Sequence, residues 1–371
     1  MPTQYYRIMY DSMTHYGFTY KKGLNIDTVK FNPHGTCKSG GLYYTTFEHL
    51  LDIPMFTNYH VRKVTIPHDA QTYKDPSGIK WKSDRIIIGD KLQLKDLPEW
   101  SDIKQCKLAI QQNVFAFRLM NKSIMTKELC YLAVSKSGWE LEFVKDKFKT
   151  ESLCILAVQQ NGYALQFVKE QTKLICEQSV ISNGKALEFV KDKFHTEELC
   201  YHAVRQNGCA LEFVKDDFHT KELCHLAVQQ NGYALEFVKD DFQTETLCLL
   251  AISYDGTILK FVNPNRQTDY ICDVAVTLDW RALEFVEDKF ITKELCESLI
   301  RRDGRALKFV KGDFHTKELC KLAVKQTILA LEFVKDKFYT KEFCDSAIRE
   351  NTYASIIISQ LNRHKYADTR D

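Results

Sequence analysis

From about residue 101 to the C-terminus, apolar and polar positions recur with a period of 24 residues, which the unit at 220–243 shows most clearly. Thr220 precedes the first apolar position, where a hydroxyl side chain can cap a helix N-terminus. The next apolar positions have the i, i+1, i+4, i+5 spacing of one helical stripe: Leu223, Cys224, Ala227 and Val228. The pattern therefore predicts an amphipathic helix in each unit.

The second half of the unit predicts a second, shorter helix. Gly232 is expected to end the first helix in the left-handed conformation that glycine adopts readily. The apolar side chains of 234–242 then cover an arc of about 160° on a helical wheel, wider than the roughly 100° stripe of a helix with one neighbouring layer. Such a helix packs on two sides, as in a stack of helical hairpins.

Eleven cysteines mark the same position in successive units. They are Cys106, Cys130, Cys154, Cys176, Cys200, Cys224, Cys248, Cys272, Cys296, Cys320 and Cys344. A fixed short period of this kind indicates a solenoid. The fold class predicted for this region is an α-solenoid of about eleven 24-residue helical-hairpin repeats.

The cysteine ladder is interpreted as helix packing, because cysteine behaves as a small apolar residue where helices approach closely. Equivalent cysteines of stacked repeats would lie about 8 to 10 Å apart, beyond the roughly 7 Å Cα separation that a disulfide permits. We therefore expect free thiols and a reducing compartment. The sequence has no C-x-x-C and no H-x-x-x-H, so neither a zinc site nor any other metal site is predicted.

The first hundred residues form a separate module, because the 24-residue period is absent there and six of the seven prolines precede residue 99. The predicted organisation is an α+β module at 1–95, a linker and start of the first repeat at 96–105, the solenoid at 106–362 and a polar tail at 363–371. The predicted elements of the module are strands at 5–10, 41–46, 61–67 and 85–94, a helix at 47–56, and turns across 23–41.

Composition and charge exclude several classes of partner. The 51 Lys and Arg residues against 49 Asp and Glu leave a net charge of +2, which does not favour nucleic acid. No apolar run reaches the roughly 20 residues that cross a bilayer, and the N-terminus does not resemble a secretory signal. No membrane association, secretion or cofactor is expected.

The residue after the glycine position differs from repeat to repeat, and we call these residues the turn row. The turn row consists of Phe115, Trp139, Tyr163, Lys185, Cys209, Tyr233, Thr257, Arg281, Arg305, Leu329 and Tyr353. Trp, Tyr and Arg are the usual anchors of protein interfaces. The candidate partner-binding residues are Trp139, Tyr163, Tyr233, Arg281, Arg305 and Tyr353. The alternative is that each ring covers the turn of its neighbour.

The motif Leu-Cys-x-x-Ala-Val-x-x-x-Gly-x-Ala-Leu-x-Phe-Val resembles the tandem repeats of the "domain of unknown function 4116" family. Residues 23–45 and 81–89 resemble a module placed before repeats, ankyrin repeats included, in mimivirus-type paralogues. The resemblance implies a giant virus that infects amoebae, with the protein in the host cytoplasm or the virion. It implies no established activity, and it suggests an N-terminal effector or docking unit with interchangeable repeats behind it.

Two functions are carried forward. The first is a non-enzymatic scaffold or adaptor whose solenoid binds a protein partner, host or viral. The second is an activity in the N-terminal module, whose strand order resembles ADP-ribosyltransferase-like domains, with the repeats as a targeting unit. Its candidate pocket is Arg7, Tyr44 and Asp90, although the strand that should supply a glutamate to such a site has none.

Overall fold

A computed structural model of the chain describes residues 4–10, 12–15, 17–34, 39–53 and 59–367. Cys37, the last part of the helix predicted at 47–56 and residues 368–371 of the predicted tail lie outside the described residues. The chain divides into two compact units, Met1–Ser182 and Asn183–Asp371, and each is described by itself. The first unit holds the N-terminal module, three repeats and the α-helix of the fourth, and the second holds the rest of the fourth repeat and the repeats that follow.

The N-terminal module is built on an antiparallel sheet. Its strands are β1 (Tyr5–Tyr10), β2 (Thr14–His15), β3 (Phe18–Thr19), β4 (Gly23–Ile26), β5 (Leu42–Thr46), β6 (Tyr59–Thr65), β7 (Thr72–Lys74), β8 (Trp81–Ser83) and β9 (Arg85–Leu92). Seven of them form one sheet in the order β4-β9-β6-β1-β5-β8-β7, and β2 pairs with β3 in a separate hairpin. The four predicted strands are confirmed, with limits that differ by at most two residues.

The core of the module lies against one face of this sheet. The buried cluster consists of Met9, Tyr20, Leu42, Tyr44, Val64, Ile86 and Ile88. On the other side of β1, Tyr6 is buried and its hydroxyl group hydrogen bonds to Glu99, just before the first repeat. The segment predicted as turns contains strand β4, which the pattern does not reveal because Leu24 and Ile26 are exposed at the sheet edge.

Short 3₁₀ helices accompany the module and connect it to the repeats. They span Phe47–Asp52, Leu94–Asp96 and Pro98–Ser101. The first occupies the start of the segment predicted as a helix at 47–56. Phe47 and Trp100 pack edge to face with ring centroids 4.4 Å apart, which fastens the module to the segment that leads into the first repeat.

The ladder cysteines lie one each on eleven α-helices. These are α1 (Ile103–Gln112), α3 (Lys127–Lys136), α4 (Glu151–Gln160), α5 (Lys173–Ser182), α6 (Glu197–Gln206), α7 (Lys221–Gln230), α8 (Glu245–Ile252), α9 (Asp269–Leu278), α10 (Lys293–Arg302), α11 (Lys317–Gln326) and α12 (Lys341–Glu350). Two further helices are α2 (Ala116–Leu119) and α13 (Ala354–Ala367). The predicted cap is confirmed in α7, where Thr220 Oγ1 accepts a hydrogen bond from Leu223 N at 3.1 Å.

Between the first and the last repeat, the second half of the repeat is not the single short α-helix that the sequence predicts. A six-residue 3₁₀ helix is followed by two extended residues, Val238 and Lys239 in the unit at 220–243, and in most repeats by a three-residue 3₁₀ turn. The six-residue helices span Gly138–Phe143, Gly162–Phe167, Gly184–Phe189, Gly208–Phe213, Gly232–Phe237, Gly256–Phe261, Trp280–Phe285, Gly304–Phe309 and Ile328–Phe333. The three-residue turns span Lys122–Ile124, Asp146–Phe148, Asp192–Phe194, Asp216–Phe218, Asp240–Phe242, Pro264–Arg266, Asp288–Phe290, Gly312–Phe314 and Asp336–Phe338.

The spacing of the apolar residues explains this difference. A 3₁₀ helix has three residues per turn, so residues i and i+3 lie on one edge. Leu235 and Val238 have that spacing, and both are buried. Ala234, Leu235 and Val238 are therefore buried, whereas Phe237 and Phe242, which the helical wheel places on the same wide arc, are only partly buried.

The repeat glycines do not have the left-handed conformation that the sequence predicts. Among the described residues, the glycines with positive φ are Gly17, Gly23, Gly40, Gly41, Gly78 and Gly312, and none of them ends an α-helix of the repeats. At the end of α7 the residue Asn231 is extended instead, and its side chain accepts a hydrogen bond from Tyr233 N at 3.0 Å. This asparagine therefore caps the following 3₁₀ helix.

The glycines are required by close approach of the next repeat. A Cβ atom on Gly208 would lie 2.3 Å from the carbonyl oxygen of Ala227, and one on Gly138 would lie 2.4 Å from that of Ala157. Real Cβ contacts are never that short, so a side chain at this position would push the two repeats apart. The glycine lets the 3₁₀ helix of one repeat lie directly against the α-helix of the next.

The predicted ladder of small residues is buried. Next to the cysteines lie Ala133, Ala157, Ala203, Ala227, Ala251, Ala275, Ala323 and Ala347, all between 0% and 5% exposed. None of the twelve described cysteines forms a disulfide, and all are buried except the partly exposed Cys209 and Cys344. The interpretation of the ladder cysteines as packing residues is confirmed.

Candidate functional site

Each residue of the turn row is the second residue of its 3₁₀ helix or, in the first and last repeats, lies just before α2 or α13. In most repeats the asparagine or aspartate two residues earlier accepts a hydrogen bond from this residue's backbone N–H, as Asn231 does from Tyr233 and Asp279 does from Arg281. Ser137 and Thr327, which precede Trp139 and Leu329, make no such bond. The residue that follows is buried, as Ala234 and Ala282 are. The backbone therefore presents the turn-row side chain at the same point of each repeat.

Two aromatic members of the row are exposed and also touch the following repeat. Trp139 is 40% exposed, and its ring lies edge to face with that of Phe167 at 5.7 Å between centroids. Tyr233 is also 40% exposed, and its ring meets that of Phe261 at 6.4 Å. Both expectations for the row therefore have a structural basis, since each ring covers its neighbour and still offers surface to a partner.

The two arginines of the row are held by their own turns. Arg281 Nε donates to both carboxylate oxygens of Asp279, at 2.9 and 3.0 Å, and Arg305 makes the same contacts with Asp303. The arginine hydrogen bonds hold the pKa of each of these carboxyl groups below its usual value. Both guanidinium groups are exposed and fixed in orientation, which reduces the entropy lost when a partner binds them.

The remaining candidates differ in exposure. Tyr163 is half-buried, whereas Tyr353 is 69% exposed. Phe115 and Leu329, which belong to the row but were not chosen as candidates, are each 53% exposed. Exposed apolar side chains thus occur along the row in both units.

Sequence reasoning missed a set of side chains that join successive repeats. Gln206 Oε1 accepts a hydrogen bond from Gly184 N at 2.7 Å, and Gln326 Oε1 accepts one from Gly304 N at 2.7 Å. Gln326 Nε2 also donates to the carbonyl of Arg302 at the end of the preceding helix. A recurring glutamine two residues before the first position of the 3₁₀ helix, as at Gln206 and Gln326, is the signal that could have revealed this contact, since helix ends leave backbone groups that need partners.

The structure brings together only part of the pocket predicted in the N-terminal module. Arg7 and Tyr44 both line a cavity of about 620 Å³. Asp90 lies elsewhere, on β9, where its exposed carboxylate pairs with Lys22. The three residues therefore do not form one site.

The described residues contain no cluster of three or more His, Cys, Asp or Glu side chains arranged to hold a metal ion. Within the same part of the chain, every helix is too short or too polar to cross a membrane.

Comparison with protein-family models places three consecutive matches to the "Domain of unknown function (DUF4116)" at residues 126–173, 172–219 and 220–265. The chain is 37% identical over 90 residues to the putative ankyrin repeat protein R229 of Acanthamoeba polyphaga mimivirus, a match that covers 22% of this chain and 29% of R229. It is 32% identical over 114 residues to the putative ankyrin repeat protein R868 of the same virus, covering 29% of this chain and 56% of R868.

A third relative from this virus, the uncharacterized protein R869, is 35% identical over 115 residues, which cover 29% of this chain and 81% of R869. This chain belongs to the DUF4116 repeat proteins of mimivirus-type giant viruses. It spans only 29% and 56% of the lengths of R229 and R868. No solved structure matches it significantly. That residues 1–95 are themselves a module shared with such paralogues stays a prediction.

Proposed function

We propose that this DUF4116 repeat protein is a non-enzymatic adaptor whose repeats bind a protein partner, host or viral, through the turn row. Stacked helical repeats in general serve protein–protein interaction, because successive units place variable side chains along one extended surface. The ankyrin-repeat names of R229 and R868 are in keeping with this role.

The observation that carries the proposal is the exposure of apolar rings at one equivalent position of the repeats. Trp139 and Tyr233 each leave 40% of their surface exposed, although the neighbouring positions of the 3₁₀ helix are buried. Rigid aromatic anchors lose little conformational entropy on binding and are enriched in binding hot spots. The row combines such rings with the oriented guanidinium groups of Arg281 and Arg305.

The test replaces Trp139 and Tyr233 together by alanine. The intact chain is used to capture partners from infected-host extract, and a captured partner is purified and titrated against both chains by calorimetry. We expect the double variant to lose about 2 kcal/mol or more of binding free energy, as is usual when hot-spot rings are truncated.

The matched control removes the same ring contacts from the other side, with Phe167→Leu and Phe261→Leu. Both double variants lose the contacts between Trp139 and Phe167 and between Tyr233 and Phe261, so both should lower the thermal transition. Only the first should weaken binding. Equal weakening of binding by the two double variants would show that the rings act by packing the repeats.

We assign no catalytic role to the N-terminal module in this proposal. Its support is the separation of Asp90 from Arg7 and Tyr44, which leaves the predicted acidic residue outside the cavity. We also propose that the protein acts in a reducing compartment, the host cytoplasm or the virion interior. The thiols of the ladder support this, since they pack between helices without forming a disulfide.

A further inference from the structure

The cavity of the N-terminal module contains a buried guanidinium group. Arg7 on β1 is only 6% exposed and lines the cavity. Its Nη1 donates to the carbonyl oxygen of Tyr43, and its Cζ lies 4.0 Å from the centroid of the Tyr20 ring. Its Nε has no hydrogen-bond partner among the described residues. An arginine keeps its proton in proteins, so this is a buried positive charge with an unused donor.

No described carboxylate neutralises this charge. Asp27 lines the same cavity, but its oxygens accept backbone N–H groups, Oδ1 from Val29 at 3.0 Å and Oδ2 from Gly41 at 2.6 Å. Lys80 adds a second cationic side chain to the lining. Buried charges in proteins are normally paired, yet no carboxylate of the described residues pairs with the Arg7 guanidinium.

His15 does not supply a counter-charge either. Its Nδ1 lies 3.4 Å from Nη2 of Arg7. Burial, followed by the charges of Arg7 and Lys80, lowers the pKa of His15 below its usual value, so the ring is neutral at pH 7. A neutral imidazole beside a guanidinium leaves the positive charge unchanged.

The cavity exists because two central strands separate. β1 pairs with β6 along its whole length, from Tyr5 to Tyr10, but its register with β5 covers only Tyr5 and Tyr6. Arg7 lies directly after the point of separation. The rings of Phe18, Tyr20 and Tyr44 also line the space, so an apolar wall surrounds the cationic group.

We propose that this cavity binds a small organic anion, a carboxylate or phosphate group on a flat apolar body, with Arg7 pairing with the anionic group. A guanidinium matches either anion with two parallel donors, and Nε with an Nη is one such pair. The volume of about 620 Å³ lies in the range of small-molecule sites. The tyrosine and phenylalanine rings fit the flat body of the ligand, and this site is independent of partner binding by the turn row.

The test follows the Nε–Hε resonance of Arg7 in the intact, ¹⁵N-labelled chain, assigned through bonds. The probes are phenyl phosphate and benzoate, which differ in the anionic group. Two control probes separate the parts of such a ligand: inorganic phosphate has the anionic group without a ring, and benzyl alcohol has a ring without a charge. We expect at least one of the two aromatic anions to shift the Arg7 resonance saturably. Inorganic phosphate and benzyl alcohol should each bind at least tenfold more weakly than that anion. The more effective anion identifies the head group. The proposal is overturned if neither aromatic anion moves the resonance, or if benzyl alcohol binds as tightly as they do.

Arg7→Met removes the charge and keeps the length of the side chain. We expect at least a tenfold loss of affinity for the bound aromatic anion, measured by calorimetry. Arg62→Met is the matched control, because Arg62 faces Arg7 in register on β6 but does not line the cavity, and it should bind normally. Unchanged affinity in Arg7→Met would overturn the proposal. Should this variant fail to fold, the resonance experiment on the natural chain still decides.

Discussion

At the scale of the residue, the ladder cysteines behave as small apolar side chains. Cys224 is completely buried, and burial raises the pKa of its thiol to about 11. The same cause raises the pKa of Cys200 and Cys248 to about 11. These thiols are therefore protonated at neutral pH and poorly reactive, which suits a packing role better than catalysis or metal binding.

We predict that Cys224→Ser destabilises the protein by about 1 to 3 kcal/mol, because it buries a hydroxyl group in an apolar helix contact. Urea unfolding would measure this cost. Cys209→Ser is the matched control, since Cys209 is partly exposed and its Sγ already accepts a hydrogen bond from Asn231 Nδ2. A control variant that loses as much stability as Cys224→Ser would contradict the packing explanation.

At the scale of the element, the contact between the 3₁₀ helix of one repeat and the α-helix of the next sets the repeat spacing. Glycine at the first 3₁₀ position permits this contact, and Gly208 N also donates to Gln230 Oε1 of the following repeat at 3.2 Å. Trp280 and Ile328 occupy the equivalent position in two repeats, so glycine is not present at every such contact.

We predict that Gly208→Ala destabilises the protein by about 1 to 3 kcal/mol, the usual cost of overpacking. The added Cβ would lie 2.3 Å from the carbonyl of Ala227, so the two repeats must shift. Gly312→Asn is the control, because Gly312 has φ +55° and open space around it, which asparagine tolerates. If chemical denaturation shows the control to be the more costly change, close approach is not the reason for the repeat glycine.

At the scale of the whole molecule, we expect stability to depend on pH through three histidines of the second unit that precede repeat caps. Burial lowers the pKa of His195, His219 and His315, and Nδ1 of each ring lacks a hydrogen-bond partner in the described structure. Gln243 occupies the equivalent position, where its Nε2 donates to the carbonyl of Phe261 and its Oε1 accepts from Asn263 N. Glutamine therefore uses both of its side-chain polar atoms in hydrogen bonds, at a position where histidine leaves Nδ1 without one.

We predict that the thermal transition falls as the pH drops below about 6.5, the unperturbed histidine pKa. The unfolded chain then binds more protons than the folded chain, and stability is lost until the pH reaches the lowered folded-state pKa. The triple variant His195→Gln, His219→Gln and His315→Gln should flatten this dependence between pH 7 and 5, as followed by calorimetry. Parallel pH profiles for the two proteins would contradict the assignment to these histidines.

The sequence by itself determined the repeat architecture. Period, helix limits, threonine caps and the buried ladder of Cys and Ala follow from local spacing and capping chemistry, and all are found in the structure. The position of the turn row was predictable for the same reason. The conformation of the second half of the repeat was not predictable from the sequence. A short apolar segment fits α and 3₁₀ geometry equally well, and packing against the neighbouring repeats decides between them.

Only the tertiary structure decided the role of the glycines and the composition of the cavity. The 2.3 Å approach at Gly208 involves a carbonyl 19 residues away, which no local pattern reports. Arg7 donates to the carbonyl of Tyr43 and lines a cavity with Tyr44 because β1 and β5 pair briefly and then separate, whereas Asp90 lies on β9. Pairing between distant strands depends on the packing of the whole sheet. The tertiary structure therefore determines which charged residues line the same cavity.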